Sequence, residues 1–256
     1  MNNGELDELL IQLKLIELRD KGESINHFDK IKTIGFIKEY NKIPDLLNWK
    51  LDKNIDVEKS IKYFGITKSP TNYKADTLIN GIPISLKSMR SAPPALVNHT
   101  TRPGFEFASN NCGGDIIELD KIIEEYWELR LNKKIPEDIS NSDPRSPFKN
   151  KKNVLKPFIN YFLFYGTGSK LSILKSDMIL SFEDPFDTST WKFFDKNNAI
   201  DLFWDNLVFS LRSKKGMPKG YPDNLSNKMK LNKHSIDKWS RFIDGDWRGS
   251  LHIRST

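Results

Sequence analysis

One stretch constrains the fold of this 256-residue chain more than any other: Tyr73 to Arg90, Tyr-Lys-Ala-Asp-Thr-Leu-Ile-Asn-Gly-Ile-Pro-Ile-Ser-Leu-Lys-Ser-Met-Arg. It reads as two short strands joined at Asn80-Gly81. A type I′ hairpin turn needs positive φ at both central residues, and Asn-Gly is the strongest short-range signal for it. Counting outward from that turn pairs Ile79 with Ile82, Leu78 with Pro83, Thr77 with Ile84 and Asp76 with Ser85. Side chains alternate along a strand, so Lys87 falls on the face of Ser85, roughly 7 Å further along. One carboxylate, one hydroxyl and one ammonium are therefore expected to converge.

The rest of the chain can support such a ribbon. With 38% hydrophobic residues it can bury a sizeable core, as one large domain or one and a half ordinary ones. The single cysteine, Cys112, precludes an internal disulfide and a cysteine-based zinc site. No apolar run is long enough to span a membrane, and the first residues lack the features of a secretory leader. A soluble, cytoplasmic protein with no membrane association is the expectation. Charge is distributed unevenly. From Arg212 to Thr256 there are eleven Lys/Arg against four Asp/Glu, a net of +7, whereas the whole chain carries +6. A basic end on a near-neutral body suits a polyanionic partner; a solvated basic tail is the plainer alternative.

The trio Asp76, Ser85 and Lys87 resembles the motif of the PD-(D/E)xK nucleases, as used by type II restriction endonucleases. The resemblance implies an Asp and a second acid that hold Mg²⁺, and a Lys that orients the attacking water. Asp76 matches the first acid and Lys87 the lysine. Ser85 stands where the second acid would be, and Ala75 replaces the Pro before the Asp. The backbone carbonyl of Leu86, middle residue of the triplet, is a further implied metal ligand. With Ser85 uncharged, a second carboxylate must come from elsewhere, and the upstream helical acids Glu58 and Glu39 are the candidates. Without the resemblance, the hairpin is a surface ribbon bearing a paired Asp and Lys.

Helical spacing of Leu6, Leu9, Leu10, Leu13 and Ile16 predicts an amphipathic helix over residues 5–21. Further helices are expected over 28–41 and, capped by Asp56 and closed by Gly65, over 57–64. Pro93, Pro94, Pro103 and Gly104 predict a long shaped loop after Lys87. Its polar residues Arg90, Asn98, His99 and Arg102 suit phosphates or base edges, and His99 is also a candidate proton carrier. Asp115 caps a clear helix over 116–132. Residues 133–153 read as a connector or lid, and the aromatic run 158–165 as a buried strand. Gly166-Thr167-Gly168 is a weak phosphate-loop signal. A strand is expected over 172–182 and a helix over 198–211. Then Arg212, Lys214, Lys215 and Lys219 line a Gly/Pro-rich loop suited to phosphate contact. The last segment predicts a hairpin tipped by Asp246, Trp247 and Arg248, with Arg241 or Arg248 placed to contact guanine.

The expected fold is α/β and restriction endonuclease-like: a central mixed β-sheet flanked by helices, in a single domain over 1–256. Within it, 1–72 is the helical part, 73–182 the catalytic core and 183–256 the basic DNA-recognition part. The expected activity is Mg²⁺-dependent, sequence-specific hydrolysis of double-stranded DNA, as a monomer or homodimer, with a companion DNA methyltransferase implied by the family. The alternatives are a non-catalytic DNA-binding protein and a structure-specific repair nuclease.

Overall fold

The hairpin forms in the predicted register. In a computed structural model that describes residues 3–37, 56–90, 94–214 and 236–255, β1 (Thr77–Ile79) and β2 (Ile82–Ser88) pair antiparallel, with Thr77 opposite Ile84, Leu78 opposite Pro83 and Ile79 opposite Ile82. Both turn residues have positive φ, 53° at Asn80 and 82° at Gly81, as a type I′ turn demands. The Asn80 side chain also fastens the turn to the preceding segment. Its Oδ1 accepts from the amides of Lys32 and Thr33, and its Nδ2 donates to the Lys30 carbonyl.

The chain is mixed α/β, with two sheets flanked by helices, and divides into two units. One comprises Met1–Pro94 with Ser172–Ala199, the other Ala95–Leu171 with Ile200–Thr256. This differs from the single domain and the three parts expected from sequence, because the chain leaves the first unit after β2 and returns for two more strands.

The first unit holds a four-stranded mixed sheet. β2 pairs in parallel with β5 (Met178–Phe182), and β5 antiparallel with β6 (Lys192–Asp195), in the order β1-β2-β5-β6. Helix α1 (Asn3–Lys21) lies in its core. Its buried side chains run nearly all round it, Asp7, Gln12 and Glu17 among them, so it lacks the single apolar face that its leucine spacing suggests. Ile11, Leu15 and Leu18 pack with Ile84, Leu86, Leu180 and Phe182 of the sheet. Leu9, Leu10, Leu13 and Ile16 pack with Phe64 and Ile66. Helix α2 (Val57–Phe64) is bounded as expected: the Asp56 side chain accepts from the Lys59 amide, and Gly65 closes the helix at φ 60°. Residues 28–37 are turns and isolated bridges, not a helix; the rest of that predicted helix, with Glu39, lies outside the described residues.

The second unit contains an antiparallel sheet of order β3-β9-β7-β4, with β8 on β9. Its strands are β3 (Ala95–Thr101), β4 (Ile139–Ser140), β7 (Leu207–Ser213), β8 (Arg241–Ile243) and β9 (Asp246–Ser255). The segment expected to be a long loop is instead β3 followed by α3 (Arg102–Cys112). Pro103 falls in the first turn of α3, where its missing N–H costs nothing. Helix α4 (Ile116–Leu131) starts at the predicted cap, Asp115, whose carboxylate accepts from the amides of Ile117 and Glu118.

The aromatic run is helical. α5 (Lys152–Asn160) continues as a π-helical turn, Tyr161–Tyr165, with Phe158, Tyr161, Phe162, Leu163 and Phe164 buried. A fully buried helix and a fully buried strand are both continuously apolar, so periodicity does not separate them. Likewise α6 (Ala199–Phe203) is short and β7 takes over the rest of its predicted span. The final hairpin turns at Asp244-Gly245, so Asp246, Trp247 and Arg248 lie in β9 and not at its tip. Gly166–Gly168 is a packing turn: a Cβ at Gly168 would lie 3.1 Å from the Gly104 Cα. Among the described residues no helix is long and apolar enough to cross a membrane.

Candidate active site

Asp76 and Ser85 meet within the first unit. Asp76 immediately precedes β1, and its amide donates to the Ile84 carbonyl. Its carboxylate faces β2, where Oδ2 accepts from Ser85 Oγ at 3.1 Å and from the Leu86 amide at 2.7 Å. Both bonds fall on one oxygen; among the described residues Oδ1 has no hydrogen bond. Ser85 is almost completely buried. Its hydroxyl therefore orients the Asp76 carboxylate, and does not stand in for the missing acid. Leu86 contributes its amide to the same oxygen. Lys87, half-buried, is the next residue on the Ser85 face.

Another carboxylate near Asp76 comes from a residue that sequence reasoning missed. Glu8, in the second turn of α1, lies within electrostatic reach of both Asp76 and Lys87. Burial, and then the negative charge of Asp76, push its carboxyl up from 4.5 to about 7, against the opposing pull of Lys87 and Lys68. Glu58 is exposed in the first turn of α2, an ordinary place for a helix glutamate. The signal for Glu8 was present as two adjacent acids, Asp7-Glu8, among the leucines of the first half of α1. A carboxylate on a helix buried all round requires a partner. Asp7 has one: it accepts from Ser88 Oγ and from Arg90 NH1, both at 2.6 Å. Arg90 is thereby held at the end of β2 with its side chain 43% exposed, open to a further anion.

Lys74 is a second unpredicted member. Two residues before Asp76, it is held down to about 8, first by burial and then by the Lys87 charge, with Asp76 opposing. The site thus joins two carboxylates and two amines. Among the described residues no group of three or more His, Cys, Asp or Glu could hold a metal. A zinc cage is therefore a poor fit for those residues. The two hard carboxylates of Asp76 and Glu8 do fit Mg²⁺, which takes one or two protein carboxylates and fills its shell with water and substrate oxygens.

Most cations assigned to DNA from sequence are engaged elsewhere. Arg102 forms a two-pronged contact with buried Asp120, at 2.8 and 2.9 Å. Lys214 is buried against Asp237 and Ser240, which corrects its reading as a loop residue open to phosphate. Arg241 donates to the carbonyls of Lys238 and Ser240. Arg212 and Arg248 are paired with acids in the second unit. Asn98 is exposed within an irregularity of β3. His99 belongs to the second unit, at φ 45°, with its ring 4.7 Å from that of His252. Lys215 and Lys219 lie outside the described residues. Sequence reasoning placed these cations by local composition, and their acids are remote in the chain. Compared with known protein families, with characterised proteins and with solved structures, the chain matches none.

Proposed function

We propose that this chain is a Mg²⁺-dependent endonuclease that hydrolyses double-stranded DNA at a short specific sequence. The observation that supports this reading is that Glu8 of α1 lies within electrostatic reach of both Asp76 and Lys87 of the hairpin, where Ser85 and the Leu86 amide orient the Asp76 carboxylate. Asp76 and Glu8 would hold the ion, with the Leu86 carbonyl as a neutral donor. When bound, the ion polarises a phosphoryl oxygen and acidifies a coordinated water.

The chain's own groups prepare the remainder. Ser85 and the Leu86 amide fix the plane of the Asp76 carboxylate, so Oδ1 is presented without reorganisation. Lys87 supplies positive charge where negative charge develops on the phosphate oxygens, and Lys74 adds a second cation beside it. Arg90, steadied by Asp7, is suited to a flanking phosphate. In the reaction a phosphorus–oxygen bond forms to water and one to the leaving sugar oxygen breaks.

The test is digestion of phage DNA in Mg²⁺ and in EDTA by the wild-type chain, Asp76→Asn and Lys87→Ala. Discrete fragments are expected only from the wild type with Mg²⁺. Unspecific smearing would favour a structure-specific nuclease. Intact DNA that is nevertheless bound would leave a non-catalytic DNA-binding protein.

A further inference from the structure

The sheet of the second unit carries a fan of three arginines that the catalytic reading does not use. Antiparallel pairing sets Val208 opposite Arg254, Ser210 opposite His252 and Arg212 opposite Ser250. Alternation then puts Arg212, His252 and Arg254 on one face. A register shift after Arg212 pairs Ser213 with Arg248. All three guanidinium groups converge on two adjacent acids. Arg212 reaches Glu137 Oε1 at 3.0 Å and Asp138 Oδ1 at 2.7 Å. Arg248 reaches the same Glu137 oxygen at 2.5 Å, and Arg254 reaches Asp138 at 3.5 Å. Three cations share two anions, so the cluster retains one positive charge. Among the described residues, nothing forms a hydrogen bond with the buried Arg248 Nε or His252 Nδ1. His252 is held down to about 4, by burial first and then by the charges of His99, Arg212 and Arg254, so the face rejects a further proton. The acids are partly exposed, Glu137 by 25% and Asp138 by 38%, and an incoming anion can compete with them.

We propose that this face binds the phosphodiester backbone of duplex DNA, and that Glu137 and Asp138 act as internal stand-ins for its phosphates, keeping the three arginines fanned and restraining unspecific binding. The two acids lie immediately before β4, whereas the arginines come from β7 and β9, so the pairing is purely tertiary. Charge complementarity selects the occupant: three guanidinium groups against two carboxylates leave the face positive, and phosphate binds paired guanidinium groups in the geometry of a carboxylate. The choice of DNA over another polyanion rests on the nuclease reading above.

The experiment measures binding of a fluorescent duplex to the full chain by anisotropy in EDTA, with folding checked by circular dichroism. The variants are Glu137→Gln/Asp138→Asn, Arg254→Ala, and Glu124→Gln/Glu125→Gln, the last removing the same charge from the exposed side of α4. Neutralising Glu137 and Asp138 is expected to tighten binding about five- to tenfold near 0.1 M salt, and to steepen the salt dependence by about two phosphate contacts. The α4 control should change affinity less than about twofold. Arg254→Ala should weaken binding. Equal tightening by both acid pairs, or unchanged or weaker binding by the Glu137/Asp138 variant, overturns the inference, as does an absence of duplex binding by every variant. Cleavage in Mg²⁺ is scored separately. DNA cutting without the affinity change removes this inference alone, and the affinity change without cutting removes the nuclease reading alone.

Discussion

Replacing Glu8 by glutamine should make the protein more stable, and only at neutral to alkaline pH. A carboxyl moved from 4.5 to about 7 has its charged form disfavoured by about 3 kcal/mol. Partial access of water reduces this to about 2 kcal/mol. The folded protein holds a proton here that the unfolded chain releases between pH 4.5 and 7. This group's contribution therefore declines as pH rises through that window, and its full cost is present above pH 7. Glu8→Gln removes the charge and keeps the shape. In urea unfolding it should exceed the wild type by about 2 kcal/mol at pH 8, and the difference should disappear toward pH 4. Lys74 titrates alike in both proteins to first order, so its effect cancels. Mg²⁺ at tenfold its dissociation constant should then stabilise the wild type by about 1.4 kcal/mol at pH 8 and leave the variant unmoved. A variant no more stable than the wild type at pH 8 would refute the reasoning, because Glu8 would then not be a carboxylate held against Asp76 in a desolvated site.

Three further outcomes follow from the same geometry. Asp76→Ala leaves the Leu86 amide and the Ser85 hydroxyl without their acceptor and should lower stability by about 1–3 kcal/mol, whereas Asp76→Asn should cost less in a parallel urea titration. Asp120 is held below the usual carboxylate range because hydrogen bonds from Arg102, Lys238 and Trp239 outweigh the upward push of burial. Its contribution is present above about pH 4 and lost as pH falls through the lower folded value, and Asp120→Asn should cost about 1–3 kcal/mol at pH 7 by weakening the hydrogen bonds from Arg102 and Trp239. Gly81→Ala meets no atom within 4 Å but must hold φ 82°; thermal denaturation should show a loss of about 1 kcal/mol, and a neutral result would contradict the type I′ turn.

The hairpin at Asn80-Gly81 was legible because everything that specifies it is local. Asn80-Gly81 selects the turn, the turn sets the register, and the register brings Asp76 to Ser85 by counting alone. The bounds of α2 and the start of α4 were legible for the same reason: Asp56, Gly65 and Asp115 act on backbone groups within a turn of themselves. Tertiary structure decided the rest. Glu8 lies far from Asp76 in sequence, and only the burial of α1 against the sheet brings its charge to the site. Arg102, Arg212 and Arg248 looked like free cations because their acids, Asp120, Glu137 and Asp138, come from other elements. The aromatic run around Phe162 was ambiguous because a segment buried on all sides shows no polar face from which to read its period. A turn or cap spends its energy among neighbouring residues, whereas a charge is settled by whatever the fold places within a few ångströms of it.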